Sequence, residues 1–358
     1  MQLQKKRNGV TTTISHVAQL AGVSRATAAC AFSKPDVVAE KTREKILDAA
    51  SRLNYRPNVL ARGLAGGKTH TVAVIWSLSS IPSDVDLTQR IAGRLQERGY
   101  LPYICDLPST YFGAMQLIED FVRRGVDGLI VAEAGAHIVT EAMKGDLRDR
   151  FRAVVLETSA PIGAIGCDEV VRDRTGAFCE AAAHFAKNGR RRPLLVMSGP
   201  YVSQLKINAF TEECRRHSLK LMPDAIIVAS TDALSNMVPS TLGMRLDDLV
   251  KDGKFSFDAI MCENDMIALF VWSWLRRKGL RVPEDVALIG FNNSEVASLI
   301  DPSIASVDRR TDETLDAITE LLFARLEDSD LPQQRRELSM RFIWRESAGG
   351  IPPDDLII

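Results

Sequence analysis

The 358-residue chain has no run of about 18 uninterrupted apolar residues, so no membrane span is expected. Its first fifteen residues, MQLQKKRNGVTTTIS, are basic but carry no apolar core behind the charge, so no secretory signal is expected either. Six cysteines (Cys30, Cys105, Cys167, Cys179, Cys214 and Cys262) lie far apart, with no C-x-x-C and no nearby pair of histidines. That pattern argues against a disulfide scaffold or a zinc site and for a reducing cytoplasm. No G-x-G-x-x-G follows the first apolar run, and neither a P-loop nor a G-x-S-x-G elbow occurs. The five histidines (His16, His70, His137, His184 and His217) show no H-E-x-x-H, and His184, inside a helical pattern, reads as structural. An enzyme is therefore not expected, nor is a cofactor or a metal. A surplus of charge is missing too: 45 Lys and Arg face 46 Asp and Glu, a net charge of −1. Taken whole, that balance argues against nucleic acid as a partner.

At 46% hydrophobic and 25% charged, the composition is that of a soluble globular protein long enough for two or three compact units. The charge, however, is unevenly placed. Residues 1–70 hold twelve Lys and Arg against four Asp and Glu, about +8, which leaves the remainder near −9. A short basic head on a long acidic body is the footprint of a nucleic-acid-binding module joined to something else.

Helical signals fill the head. Thr13 is a good N-cap, and Ile14, Val17 and Ala18 form one apolar face. Ala21-Gly22-Val23 breaks that pattern, because glycine tolerates the backbone of a sharp turn. Ser24 then caps a second short helix opening at Arg25, and a third fits Ala39 to Leu53, with Ile46, Ala49, Ala50 and Leu53 facing inward. Two short helices about a glycine turn, covered by a third, make a helix-turn-helix. The second helix would present its N-terminal side chains to the major groove, with Arg25 and Ala26 leading and Ala29 and Cys30 one turn on. Arg25 suits either guanine or a phosphate, whereas the hydroxyls of Ser24, Thr27 and Thr42 suit phosphates. A three-helix unit that binds protein is the competing reading.

From Thr71 onward, apolar runs alternate with amphipathic stretches. Strands are expected at Val72–Trp76, Leu101–Cys105, Val126–Val131, Pro193–Met197, Ala225–Ala229, Ala259–Cys262 and Val286–Ile289. Between them fall helices at Asp86–Arg98, Tyr111–Arg124, Thr175–Asn188, Gln204–His217 and Asp265–Lys278. Continuously apolar strands between helices imply a parallel, doubly wound α/β sheet covered on both faces. The rhythm runs twice, which suggests two lobes with a ligand cleft at the carboxyl ends of the strands.

Several of these segments resemble one family closely. The run TISHVAQLAGVSRAT from Thr13 is similar to the start of the lactose-repressor/galactose-repressor (LacI/GalR) family. It continues as VAEKTR from Val38, LNYRPN from Leu53 and ARGLA from Ala61, in the family's order and spacing. In the body, RRGVDGLI from Arg123, NGRRR from Asn188, Asn264-Asp265, GLRVPEDV from Gly279 and GFNN from Gly290 look like the family's sensor domain, and Arg345 to Ser347 matches its closing strand.

The resemblance implies an N-terminal three-helix helix-turn-helix DNA-binding head and a two-lobed periplasmic-binding-protein-like doubly wound α/β sensor domain. It divides the chain into a tail at 1–12, a DNA-binding domain at 13–57, a hinge helix at 58–70, an effector-binding and dimerisation domain at 71–350 and a tail at 351–358. The chain would cross between lobes near residues 166, 297 and 333, so that lobe 1 takes about 71–165 and 298–333. The implied protein is a cytoplasmic homodimer, repressing through a palindromic DNA operator under control of a small polar effector such as a sugar. Its implied DNA-contacting set adds Thr13, Tyr55, Asn58, Ala61 and Leu64 to the residues above, with Leu64 as a minor-groove wedge. Its implied effector set is Ser77, Ser79 and Asp84 from one lobe, Asp168, Lys206, Asp265 and Asn292 from the other, and Arg309 at the crossover.

Some positions depart from the family pattern. His16 stands where an acidic residue is usual, Ala28-Ala29-Cys30 replaces Val-Ser-Arg, and Gly63 stands where serine is common. Lys206 replaces arginine and Asn292 replaces aspartate. A lysine is a point charge without a bidentate fork, and an asparagine supplies no carboxylate, so the usual recognition of a simple pyranose is in doubt. The alternatives are a sugar-metabolising α/β enzyme with an incidental basic head, or a ligand-binding protein without a DNA function.

Overall fold

A computed structural model describes residues 12–33, 35–56, 68–76, 82–106, 110–132, 147–162, 167–198, 204–229, 241–251 and 254–350. The chain divides into two units, Met1–His70 and Thr71–Ile358. No helix among the described residues is long and apolar enough to cross a membrane.

The first unit holds α1 (Ile14–Ala21), α2 (Arg25–Ser33) and α3 (Glu40–Arg52). At the start of α1 the Thr13 N–H donates to His16 Nδ1 at 3.2 Å, so the imidazole does what an acidic side chain does in a capping box. Gly22 ends that helix at φ 67°, with its N–H returning to Ala18 and Gln19. Ser24 Oγ accepts the Thr27 N–H at 3.0 Å and opens α2. Five alanines (Ala18, Ala28, Ala31, Ala49 and Ala50) share the small core with Val17 and Ile46, and side chains that small let the three helices approach closely. Phe32 and Tyr55, ring centroids 5.8 Å apart, close it.

The second unit contains two six-stranded sheets. In chain order it runs β1 (Thr71–Trp76), α4 (Pro82–Glu97), β2 (Leu101–Asp106), α5 (Tyr111–Arg124), β3 (Gly128–Val131), α6 (Leu147–Arg150), β4 (Ala153–Thr158), β5 (Asp168–Asp173), α7 (Thr175–Lys187), β6 (Pro193–Ser198), α8 (Gln204–Arg216), β7 (Ile226–Ala229), α9 (Leu242–Asp247), β8 (Val250–Lys251), β9 (Lys254–Phe255), β10 (Ala259–Cys262), α10 (Asp265–Arg277), β11 (Ala287–Phe291), α11 (Glu295–Leu299), β12 (Ala305–Asp308), α12 (Thr311–Glu327), β13 (Arg335–Ser339) and β14 (Arg341–Ile343). The first sheet has the order β13-β5-β4-β3-β1-β2, all parallel. The second is β14-β12-β11-β10-β6-β7, parallel except for β14. Strands β1, β3, β4, β10 and β11 are buried along their whole length, as strands covered by helices on both faces must be. The expected doubly wound α/β body is present.

The lobe crossings are corrected by strand pairing. β5 pairs with β4 and β13 in the first sheet, so the first crossing falls at Arg174, not near 166. β12 belongs to the second sheet, while α12 beyond it packs on Leu87, Ile91 and Val155 of the first lobe's core, placing the second crossing at 309–310, not 297. β13 and β14 lie in different sheets, so the third crossing is at residue 340, not 333. The closing strand is likewise corrected to Arg341–Ile343, because residues 346–348 form a 3₁₀ turn. That turn is pinned by Ser347, whose Oγ donates to Leu288 O at 2.6 Å and accepts the Ala305 N–H at 2.8 Å.

Candidate functional site

On the head, Ser24, Arg25, Ala26 and Ala29 are exposed, and Thr27 and Cys30 are half-buried. They share the N-terminal half of α2, with Arg25 as its only cation. The Thr27 hydroxyl lies 2.8 Å from Ser24 Oγ, so the two oxygens sit together at the helix start. Thr13 is exposed before α1, Thr42 is half-buried in the first turn of α3, and Tyr55 is half-buried against Phe32. An N-terminus bearing hydroxyls and one arginine presents unsatisfied N–H groups and positive charge together, which suits a phosphate-lined groove. Asn58, Ala61 and Leu64 lie outside the described residues, as do Ser77 and Ser79; Asp84 falls in α4, but its side chain is also outside them.

In the body, polar side chains converge where the parallel strands end. Lys206, in the first turn of α8, is buried, and its Nζ lies 3.2 Å from Glu263 Oε1 just after β10. Burial is the largest influence on Lys206 and lowers its pKa; Glu263 opposes that shift, while Arg174 and Arg309 deepen it. Both arginines lie on chain crossings. Arg174 Nη2 donates to Glu157 Oε1 at 3.0 Å, at the end of β4, and Glu157 also receives Arg172. Arg309 Nη1 donates to Asn292 Oδ1 at 3.4 Å. Asn292 and Asn293 follow β11 with φ of 99° and 48°, a left-handed turn that asparagine tolerates better than most residues.

Asp265 sits deeper. Its Oδ1 accepts Ser306 Oγ at 2.6 Å, and its Oδ2 accepts the Ser294 N–H at 2.6 Å and the Ser294 hydroxyl at 2.9 Å. It ties the start of α10 to the strand ends of β11 and β12. Burial lifts its pKa to about 6, against the pull of the two serines and Arg345. The folded protein therefore holds this proton more tightly than the unfolded chain does, so stability from this group is lost as pH rises from about 4 to about 6. Asp265→Asn removes that dependence. Its stability relative to the parent should rise by on the order of 3 kcal/mol across this window, because one pKa unit is worth about 1.4 kcal/mol. Urea titrations of both proteins at pH 4 and pH 6.5 measure the change, and an unchanged difference would contradict the assignment.

Asn292 and Arg309 are joined by a hydrogen bond and Arg309 acts electrostatically on Lys206, while Asp265 sits at the ends of β11 and β12. Asp168 is a correction. It opens β5, at the end of the strand away from the cleft, with its side chain 1% exposed. Arg325 on α12 grips both its oxygens, at 2.7 and 3.0 Å, and the Gln334 N–H adds a third bond at 2.8 Å. A carboxylate saturated by internal donors braces α12 and the 329–334 loop and does not face a ligand. Glu157, Arg172, Arg174 and Glu263 were missed, because isolated charges at strand ends carry no periodic or motif signal. Arg190 and Arg192 are bracing residues too: Arg190 donates to the carbonyls of Glu284 and Asp285, and Arg192 pairs with Asp258. His184, pushed down by burial and stacked 4.3 Å from Trp344, is structural as expected. All six cysteines are free.

Comparison with known proteins places both units. Residues 13–58 match the family described as bacterial regulatory proteins, lacI family, and residues 182–348 match the periplasmic binding protein-like domain. Together the two stretches cover more than half of the chain. The ribose operon repressor of Escherichia coli (strain K12) is 25% identical over 348 residues, spanning 94% of this chain and 99% of the relative. Among solved structures, a lac repressor dimer bound to operator and the anti-inducer ONPF superposes with a TM-score of 0.75 at 20% identity, covering 94% of this chain and 99% of that one. A LacI family regulator from Enterococcus faecium with bound ribose gives 0.63 at 20% identity, over 79% and 100%. The matched families are regulators and binding domains, which sets the α/β enzyme alternative aside. The chain thus joins a DNA-binding domain of the lacI family of bacterial regulatory proteins to a periplasmic binding protein-like domain.

Proposed function

We propose that this chain is a cytoplasmic repressor that binds a palindromic operator as a homodimer and releases or grips it according to a small polar metabolite, a sugar or sugar derivative, held between the two lobes. One observation carries the reading: a capped, glycine-turned α1–α2 pair in a segment matching the lacI family precedes a two-sheet body whose buried polar side chains converge at the strand ends. Two-fold symmetry sets one head on each half-site. In this reading Ser24, Arg25, Ala26, Thr27, Ala29 and Cys30 face the groove, Thr13, Thr42 and Tyr55 flank the phosphates, and Asn58, Ala61 and Leu64 belong to the hinge. Ser77, Ser79, Asp84, Lys206, Asp265, Asn292 and Arg309 form the effector set.

The sugar reading draws on relatives, a ribose operon repressor and a regulator with bound ribose. Effector and operator affinities are coupled reciprocally, by about 1–3 kcal/mol. Selection from a random duplex pool tests the DNA half. A palindromic consensus should emerge with the full chain, and Leu64→Ala should lose operator affinity by about 100-fold, the few kcal/mol of a lost wedge, while non-specific binding hardly changes. A pool with no consensus would overturn the reading, and equal losses on both duplexes would remove the wedge.

A further inference from the structure

The chemistry that α2 can offer to bases is narrow. From Arg25 to Phe32 its side chains are all described: Arg25, Ala26 and Ala29 are exposed, Thr27, Cys30 and Phe32 are half-buried, and Ala28 and Ala31 are buried. Ala28 and Ala31 belong to the core of the head, and Phe32 packs on it beside Tyr55. Ala26, Ala29 and Cys30 follow one another at spacings of three and four and so share the outward side. Ser24 Oγ accepts the Thr27 N–H at 3.0 Å and lies 2.8 Å from Thr27 Oγ1, so the two hydroxyls close the helix start and suit a phosphate beside the groove. The outward face thus carries one guanidinium, two methyl groups and a thiol that is a weak donor. The major-groove edges of the bases hold donors, acceptors and one apolar group, the C5 methyl of thymine. A methyl set against a donor or acceptor edge leaves it dry and unpaired, whereas against the thymine methyl it buries apolar surface on both sides.

We infer that α2 reads each half-site through thymine methyl groups packed on Ala26, Ala29 and Cys30, with Arg25 on O6 and N7 of one guanine. This rests on the DNA-binding reading above, which stands on other grounds than these small residues, and narrows it to operators whose arms set a guanine beside thymines. Shape complementarity between methyl groups and one forked hydrogen bond then carry the choice of bases, while the hydroxyls fix the register on the backbone.

Base analogues test this on the full chain, because each changes one group of the DNA and nothing in the protein. A palindrome selected by the chain is remade with deoxyuridine for each thymine in turn, which deletes the C5 methyl and keeps every hydrogen bond, and with 7-deazaguanine for each guanine, which deletes N7. Affinity is read by fluorescence anisotropy. Thymines contacted in the arms should each be worth about fourfold, the effect of one buried methyl. The same exchange at the central base pairs, or anywhere in a scrambled duplex, should change little. One guanine in each arm should be worth about tenfold with the parent chain and nothing with Arg25→Ala. Ala26→Gly and Ala29→Gly should each cancel the sensitivity at one thymine. Should a glycine variant fail to fold, the analogues with the parent chain decide alone. Arms without thymine, or a palindrome bound equally well with uracil throughout its arms, overturn the inference and leave the DNA-binding reading standing. A pool that yields no consensus removes both.

Discussion

Asp168→Ala should cost about 3–5 kcal/mol of stability, because it strands a buried guanidinium. Arg325 gives two hydrogen bonds to that carboxylate and others to the carbonyls of Ser329, Leu331 and Pro332, with its side chain 5% exposed. One ion pair thus joins the end of α12 and the loop leading to β13 to the opening of β5. Asp168→Asn keeps an acceptor oxygen and should cost less. Replacing both partners, as Asp168→Leu with Arg325→Met, should cost less than the sum of the single changes, since no unpaired charge remains. Urea midpoints followed by far-UV circular dichroism measure all four proteins. Effector affinity per folded molecule should be unchanged in Asp168→Asn. Full stability with lost effector binding would instead return Asp168 to the cleft.

Gly290→Ala should be comparably severe, by about 2–4 kcal/mol, combining overpacking with the loss of buried hydrogen bonds. A Cβ at Gly290 would fall on Asp265 Oδ1, and Asp265 has nowhere to go while Ser294 and Ser306 hold it. Either the serine bonds break or β11 shifts, and both disturb the strand end that presents Asn292. The variant should therefore lose thermal stability and effector response together while its head still binds non-specific DNA. Asp265→Ala in the same background makes room and should recover part of the loss. No recovery would show that the strain lies elsewhere.

Elements bounded by local signals were legible in the sequence. Tyr111–Arg124 has Thr110 accepting the Gly113 N–H at one end and Gly125 in the left-handed region at the other, so both boundaries are written in adjacent residues. Ala259–Cys262 is a wholly buried apolar run and reads as a strand for the same reason. The exposed strand β13, RRELS, has no apolar pattern at all, and its partner β5 lies more than 160 residues away. Missing it displaced the third crossing, and the other two moved with the assignments of β5 and β12. Among the polar residues near the strand ends, Lys206, Asn292 and Arg309 were named by resemblance. Glu157, Arg172, Arg174 and Glu263 were not, because only the folded sheets bring strand ends from distant segments together. Asp168 was misplaced for the same reason, its partner Arg325 being 157 residues on.

The near-zero net charge of the whole chain concealed its basic head, and the most direct test of the account exploits that charge. It is the affinity of the full chain for its selected palindrome and for a scrambled duplex of equal length, measured by fluorescence anisotropy from about 50 to 200 mM NaCl, the range over which released counterions change affinity most clearly. The account predicts a steep linear fall of log K with log salt on both duplexes, and an affinity about 1,000-fold or more tighter for the palindrome at every salt. Equal affinity for the two duplexes, or a flat salt dependence, would contradict it.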